Sequence, residues 1–219
     1  YVAPLWAFGY GQSRWGYKNE QDIRDVAEQY KSAGIPLDAI YLDIDYMERY
    51  KDFTIDETAF PEFEAFCAEM KEQGIHLVPI IDAGVKIEEG YDVYEEGVAN
   101  DYFCKDAKGG DFVGAVWPGR VHFPDFFKAE TRKWFGEKYA FLLEKGVDGF
   151  WNDMNEPAIF YTEERLASVM ERISELSKEN LDVNSYFEFT GLVAGIGNNV
   201  GDYDTFFHDM DGKKVPHSK

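Results

Sequence analysis

The stretch Gly146-Val147-Asp148-Gly149-Phe150-Trp151-Asn152-Asp153 decides the fold class. Ahead of it Phe135, Tyr139 and Leu142 recur at close to helical spacing, Gly146 stands where a helix would stop, and Val147 to Asp153 reads as a short β-rich run. Helix, glycine stop and strand in that order are the repeating unit of an alternating α/β fold. The run closes on an acid and continues as Met154-Asn155-Glu156-Pro157. A buried carboxylate needs a charge partner, hydrogen bonds or a retained proton. An acid closing an apolar strand therefore points to chemistry.

The same unit is written twice upstream. Ile23, Val26, Ala27 and Tyr30 form a helical stripe, Gly34 ends it, and Asp38 to Ile44 follow as a strand. Phe63, Phe66, Cys67 and Met70 form the next stripe behind Pro61, Gly74 ends it, and Ile75 to Asp82 follow. Ala3 to Phe8 reads as one more strand. These runs are nearly continuous in apolar residues, which suits a parallel sheet covered on both faces. They end in Asp43 and Asp45, in Asp82 and in Asp153. Parallel α/β folds gather functional groups at the carboxyl ends of their strands, so these acids are expected to converge on one rim.

The interval from Gly74 to Gly146 is nearly twice that from Gly34 to Gly74. The excess falls after the third strand, at about 83–125, where Trp117-Pro118-Gly119 lies in an aromatic-rich stretch. So long a connection is usually functional, and an inserted subdomain capping the rim is expected. After Pro157 a helix is predicted over Thr162 to Glu179, with Leu166, Val169, Met170, Ile173 and Leu176 on one stripe. Residues 184–219 are rich in Gly, Asn and Asp and are expected to hold no strand. Four parallel strands do not close a barrel of eight. The expectation is that 1–219 is part of a catalytic domain and stops in mid-fold. A first residue of Tyr1 points the same way, to a processed or excerpted chain.

Composition narrows the partners. Among 219 residues the net charge is −20, which opposes phosphate neutralisation and an anionic membrane surface. No nucleic acid and no membrane partner is expected. Aromatic residues make up 17%; most belong in a core, and rings also line carbohydrate clefts. The two cysteines, Cys67 and Cys104, have no metal or disulfide spacing. With no signal-peptide pattern, the expected location is cytoplasmic. Neither a cofactor nor a metal is called for. Phosphate loops, nucleophile elbows and His-Glu-x-x-His are absent, and Asp209-Met210-Asp211-Gly212 lacks the spacing of a calcium loop.

Asp153 lies between Trp151 and Met154, a partly apolar setting suited to a carboxylate that attacks an electrophile once water is excluded. A sugar anomeric carbon is such an electrophile, and two carboxylates are the usual equipment for cleaving a glycosidic bond. The alternative is a helix N-cap. Asp43 and Asp45, two apart at a strand end, are expected on one side. They could bind sugar hydroxyls, form the Asp-x-Asp metal site of a glycosyltransferase, or serve as a cap and a surface acid.

Four stretches resemble glycoside hydrolase family thirty-one, the α-glucosidase family. They are Gln12 to Tyr17 (QSRWGY), Asp43 to Met47 (DIDYM), Val116 to Gly119 (VWPG) and Gly149 to Pro157 (GFWNDMNEP), in family order and spacing. The resemblance implies the N-terminal half, about four βα strands, of a (β/α)8 TIM barrel, with a long insertion after strand three and a long loop after strand four. It implies a retaining α-glucosidase that releases terminal α-linked glucose through a covalent glycosyl-enzyme intermediate. Asp153 would be the nucleophile and Glu156 a supporting acid that positions it. Asp43 would hold the hydroxyls of the sugar, Trp117, Trp151 and Met154 would line its pocket, and Ile44 and Ile80 would fill the floor. Trp15 would stand at the rim. The family's acid/base Asp in Gly-Asp-Asn, its later Arg and His, and its leading β-sandwich are not in this sequence. The chain is therefore expected to be a fragment, inactive alone, whose partner is the remainder of the same polypeptide, a second half-barrel. The alternatives are a metal-dependent glycosyltransferase and a non-catalytic sugar-binding module.

Overall fold

The computed structural model describes residues 2–177. The tract 184–219, with Asp209-Met210-Asp211-Gly212, and the end of the helix predicted to reach Glu179 lie outside the described residues. In chain order these form β1 (Gly11–Ser13), α1 (Glu20–Ser32), β2 (Ala39–Leu42), α2 (Phe63–Glu72), β3 (His76–Asp82), β4 (Val85–Lys86) and α3 (Asp92–Ala99). There follow β5 (Gly114–Val116), β6 (Gly119–His122), α4 (Ala129–Lys138), α5 (Ala140–Glu144), β7 (Trp151–Asp153), β8 (Tyr161–Thr162) and α6 (Glu163–Ser177). They divide into two units, Tyr1–Ala83 with Phe126–Asn155, and Gly84–Asp125 with the chain from Glu156 onward.

The first unit is a four-stranded parallel sheet in the order β1-β2-β3-β7. Strands adjacent in sequence are adjacent in space without a reversal of direction, the order of a βα barrel and not of a doubly wound sheet. It is the N-terminal half of such a barrel. Each turn out of a helix is closed in the same way. Gly34, Gly74 and Gly146 are left-handed (φ 68, 78 and 93). The next N–H then returns to the last turn, Ile35 to Tyr30 O at 3.0 Å, Ile75 to Met70 O at 2.9 Å, and Val147 to Leu142 O at 3.3 Å. A side chain would strain that backbone, which is why the stops are glycines. Beneath the helices Ile23, Ala27, Phe63, Phe66 and Met70 are buried together with Ile40, Leu42, Leu77 and Ile81 of the strands. Arg24 ties α1 to α2 through a two-nitrogen grip on Glu69 (2.7 and 2.9 Å) and lies over the Phe66 ring at 4.9 Å.

Two expectations are corrected. Ala3 to Phe8 is not a strand: Leu5–Phe8 is an exposed 3₁₀ turn behind Pro4, and the first ladder is Gly11–Ser13 against β2. Trp6 turns aside to stack on His76 with centroids 4.4 Å apart. The chain is brought onto β2 only from Tyr10, whose N–H donates to the Asp38 carboxylate at 2.9 Å. The third helix is also not continuous; it breaks at Tyr139 into α4 and α5.

The second unit is an antiparallel sheet in the order β4-β6-β5-β8. Trp117 and Pro118 form the turn between β5 and β6. Buried Lys86 donates from Nζ to the Pro118 carbonyl at 2.7 Å, and His122 donates from Nδ1 to the Phe112 carbonyl at 2.8 Å. Leu166 and Val169 of α6 pack with Ala115 of β5, flanked by Tyr161, Met170 and Ile173. No helix among the described residues is long and apolar enough to cross a membrane.

Candidate active site

Registry builds the rim. Ile80 pairs with Trp151 and Asp82 with Asp153 across β3 and β7. Side chains alternate along a strand, so these four share one face. Asp43 follows the last residue of β2, where its side chain accepts the Ile44 N–H at 2.8 Å and starts a 3₁₀ turn, Ile44–Tyr46. Ile44 and Ile80 are buried, while Trp151, Asp153 and Met154 are half-buried. Tyr46, fully buried, donates to the Ile80 carbonyl at 2.8 Å and holds that strand end in place. Directly after Asp153 the backbone turns left-handed at Met154 (φ 58). That conformation is uncommon for a non-glycine residue and is found where structure over-determines it, often at active sites. It ends the strand abruptly, leaving Asp153 at the tip. No helix begins there, so Asp153 is not an N-cap.

Electrostatics mark the rim as costly. Burial pushes the Asp82 carboxyl up to about 7, with Asp153 and then Asp43 adding to the shift. Burial also raises Asp43, the Ile44 N–H opposes it, and Asp153 adds to it. Asp82 thus senses Asp153 and Asp43, and Asp43 senses Asp153, across three strand ends. Asp52, which accepts the Asp82 N–H at 3.0 Å, is raised well above the usual carboxylate range by burial and by Asp82. Desolvated like charges gathered in this way are characteristic of functional sites.

The remaining expected residues are placed as follows. Trp15 lies on the loop after β1 and is 67% exposed. Trp117 and Glu156 belong to the second unit. There Trp117 meets Phe160 edge-to-face at 4.9 Å, and Glu156 is exposed. Asp45 departs from expectation. It sits in the 3₁₀ turn and not on a strand, so the alternation that would align it with Asp43 does not apply. The Gly16 N–H donates to it, and burial with Asp43 raises its carboxyl against the pull of Lys18. A cavity of about 410 Å³, lined by Phe126, Arg132, Phe135, Tyr139, Asn152 and Asn155, opens in the first unit. Asn152 alternates with Asp153, so this cavity flanks the helix side of β7 and not its acidic face. Sequence reasoning placed Asp82 on the acidic rim without a chemical task, and gave none to Asp52 or Tyr46. The acid ending β3 was a usable signal for Asp82; nothing local marks Asp52.

The family model for the glycosyl hydrolases family 31 TIM-barrel domain matches residues 1–195. "Alpha-glucosidase 2" of Bacillus thermoamyloliquefaciens is 49% identical over 159 residues, 73% of this chain and 20% of that protein. "Alpha-glucosidase" of Saccharolobus solfataricus is 32% identical over 219 residues, 100% of this chain and 29% of that protein. The crystal structure of a family 31 α-glucosidase from Bacteroides thetaiotaomicron superposes with a TM-score of 0.66 at 39% identity, covering 75% of this chain and 28% of that one. The chain thus spans less than a third of the length of the relatives it matches. With the domain match running over the half-barrel and its acidic rim, the chain belongs to glycosyl hydrolase family 31, within its TIM-barrel domain.

Proposed function

We propose that this chain supplies the nucleophile and the sugar floor of a retaining α-glucosidase acting on terminal α-linked glucose. The observation that carries the reading is Asp153 at the tip of β7, on the same face as Trp151 and Ile80, with Asp43 at the next strand end but one. A hexose has apolar ring faces and a hydroxyl edge. Trp151, Ile80 and Ile44 suit the faces, and Asp43 suits the hydroxyls.

In the reaction an Asp153 carboxylate oxygen attacks the anomeric carbon as the glycosidic C–O bond breaks, and the leaving oxygen takes a proton from a general acid. Water then attacks the glycosyl-aspartate carbon, its proton passing to the same group as base, and Asp153 is released with net retention. We place that proton donor outside the described residues. Trp15, exposed on the loop after β1, contributes ring surface to the substrate in this scheme. Among the described residues the far edge of β7 has no strand partner, which suits continuation into a second half-barrel of the same polypeptide. Asp45, held by the Gly16 N–H, gives no support to an Asp-x-Asp metal pair.

The test uses the full polypeptide and a fluorinated α-glucosyl donor, with the labelled peptide read by mass spectrometry. A glucosyl adduct on Asp153 is expected, together with α-glucose as the first-formed anomer by NMR. An adduct elsewhere, or β-glucose as first product, overturns the reading.

A further inference from the structure

Asp82 has no part in the scheme above, yet it is the most completely enclosed acid of the rim. It is 3% exposed, stands in register beside Asp153, and its Oδ1 is buried with no hydrogen-bond partner. Under it lies Asp52, 1% exposed, whose carboxylate accepts the Asp82 N–H. The loop that delivers Asp52 is contorted: Arg49, Tyr50 and Phe53 all adopt positive φ (50, 61 and 58). Each is a conformation that side chains disfavour, and such strain concentrates at functional sites. Here strain is held to keep one acid beneath another.

The groups facing Asp82 come from every neighbouring strand end. Asp43 approaches from β2, Asp153 from β7, and Asp52 and Tyr46 from the segment between β2 and α2. All are acids or a phenol. Lys51, the cation next to Asp52, pairs with Glu48 at 3.2 Å. Carboxyl groups so enclosed and so close do not all ionise together.

We propose that Asp82 is a positioning residue of Asp153: it keeps its proton beside the nucleophile, leaves the negative charge at that point of the rim to Asp153, and disables attack when it ionises. This rests on Asp153 being the nucleophile. Burial and the charges of Asp153 and Asp43 place the Asp82 ionisation at about 7, so the loss falls on the alkaline side. Once ionised, Asp82 repels Asp153 and turns it from its line of attack. A displacement near 1 Å costs about a hundredfold in rate. A merely structural Asp82 would alter stability without imposing this pH limb on the nucleophile.

The experiment measures the rate at which a 5-fluoro-α-glucosyl fluoride labels Asp153 in the full polypeptide, as a function of pH. Fluoride departs without a general acid, so the profile reports the nucleophile and its neighbours. Labelling of the wild type is expected to fall above about pH 7. Asp82→Ala is expected to label about a hundredfold more slowly at pH 6. Asp82→Asn, which keeps a hydrogen-bond donor and cannot ionise, should recover part of that loss and show no fall. An Asp82→Asn variant with the wild-type alkaline limb, or Asp82→Ala labelled at the wild-type rate, overturns the inference. A wild type that is not labelled at all overturns the glucosidase reading, and the inference with it. Should Asp82→Asn not fold, the C=O stretch of protonated carboxyl groups, followed by infrared in the wild type and in Asp153→Asn, decides the matter. The band lost near pH 7 should disappear at lower pH once the Asp153 charge is gone; a band that does not move overturns the proposal.

Discussion

In the second unit, buried polar groups close on partners: Lys86 on the Pro118 carbonyl and His122 on the Phe112 carbonyl. In the half-barrel, Asp82 and Asp45 each bury a carboxylate oxygen with no hydrogen-bond partner, and burial together with neighbouring carboxylates raises the proton affinity of Asp43 and Asp82. Polar burial in the first case secures a turn. In the second it is held against its own electrostatics, which stability alone does not favour. The contrast separates residues that build the protein from residues that equip it.

The largest effect that would break this contrast is on rate. Asp153→Asn in the full polypeptide should lower turnover of an aryl α-glucoside by at least about 10⁴-fold, the scale of losing a covalent nucleophile. A loss under tenfold would demote the rim to scaffold. The next effect is thermodynamic. Because the folded state holds the Asp82 proton up to about pH 7, against 3.8 for a free side chain, the unfolded chain releases that proton first. Stability should therefore fall as pH rises between those values in the wild type, and less so in Asp82→Asn, which should be the more stable protein at neutral pH. Urea unfolding at several pH values measures this.

In the second unit the sign reverses. Lys86→Met leaves the Pro118 carbonyl unmatched and should lower stability by about 2 kcal/mol, seen as a reduced urea midpoint at constant slope. An unchanged midpoint would dissolve the contrast. The smallest effect belongs to a structural acid of the half-barrel. Asp148 is raised by burial, but hydrogen bonds from Lys71 and His76, both at 2.7 Å, outweigh it and hold the carboxyl below the usual range. Its stabilisation is present above the ordinary carboxylate value and is lost as pH falls through the depressed one. Asp148→Asn should cost about 1 kcal/mol at neutral pH and nothing in strong acid, where both proteins are protonated.

Legibility followed the range of the interactions. The three helix stops were readable because a left-handed residue before a strand is a local demand that glycine meets. The rim acids were readable because strand ends are marked by where an apolar run stops. Ala3–Phe8 misled because its apolar pattern suits a strand, while Trp6 is drawn to His76, far along the chain. Asp45 misled because alternation was carried past Leu42, where the backbone had already coiled into a 3₁₀ turn. The strand expected over Val147 to Asp153 pairs only from Trp151, where β3 offers a partner.

By itself the sequence determined the alternation of helix and strand, the acids at the strand ends and the motifs of the family, since each is encoded by neighbours or by a short periodic pattern. Only the tertiary structure decided which acids share a face, that Asp82 stands level with Asp153, and that a contorted loop places Asp52 beneath it. Those relations depend on strand register and on contacts between distant residues. A one-residue slip in register would send every side chain of a strand to the opposite face, and no local pattern in the chain records which register the sheet adopts.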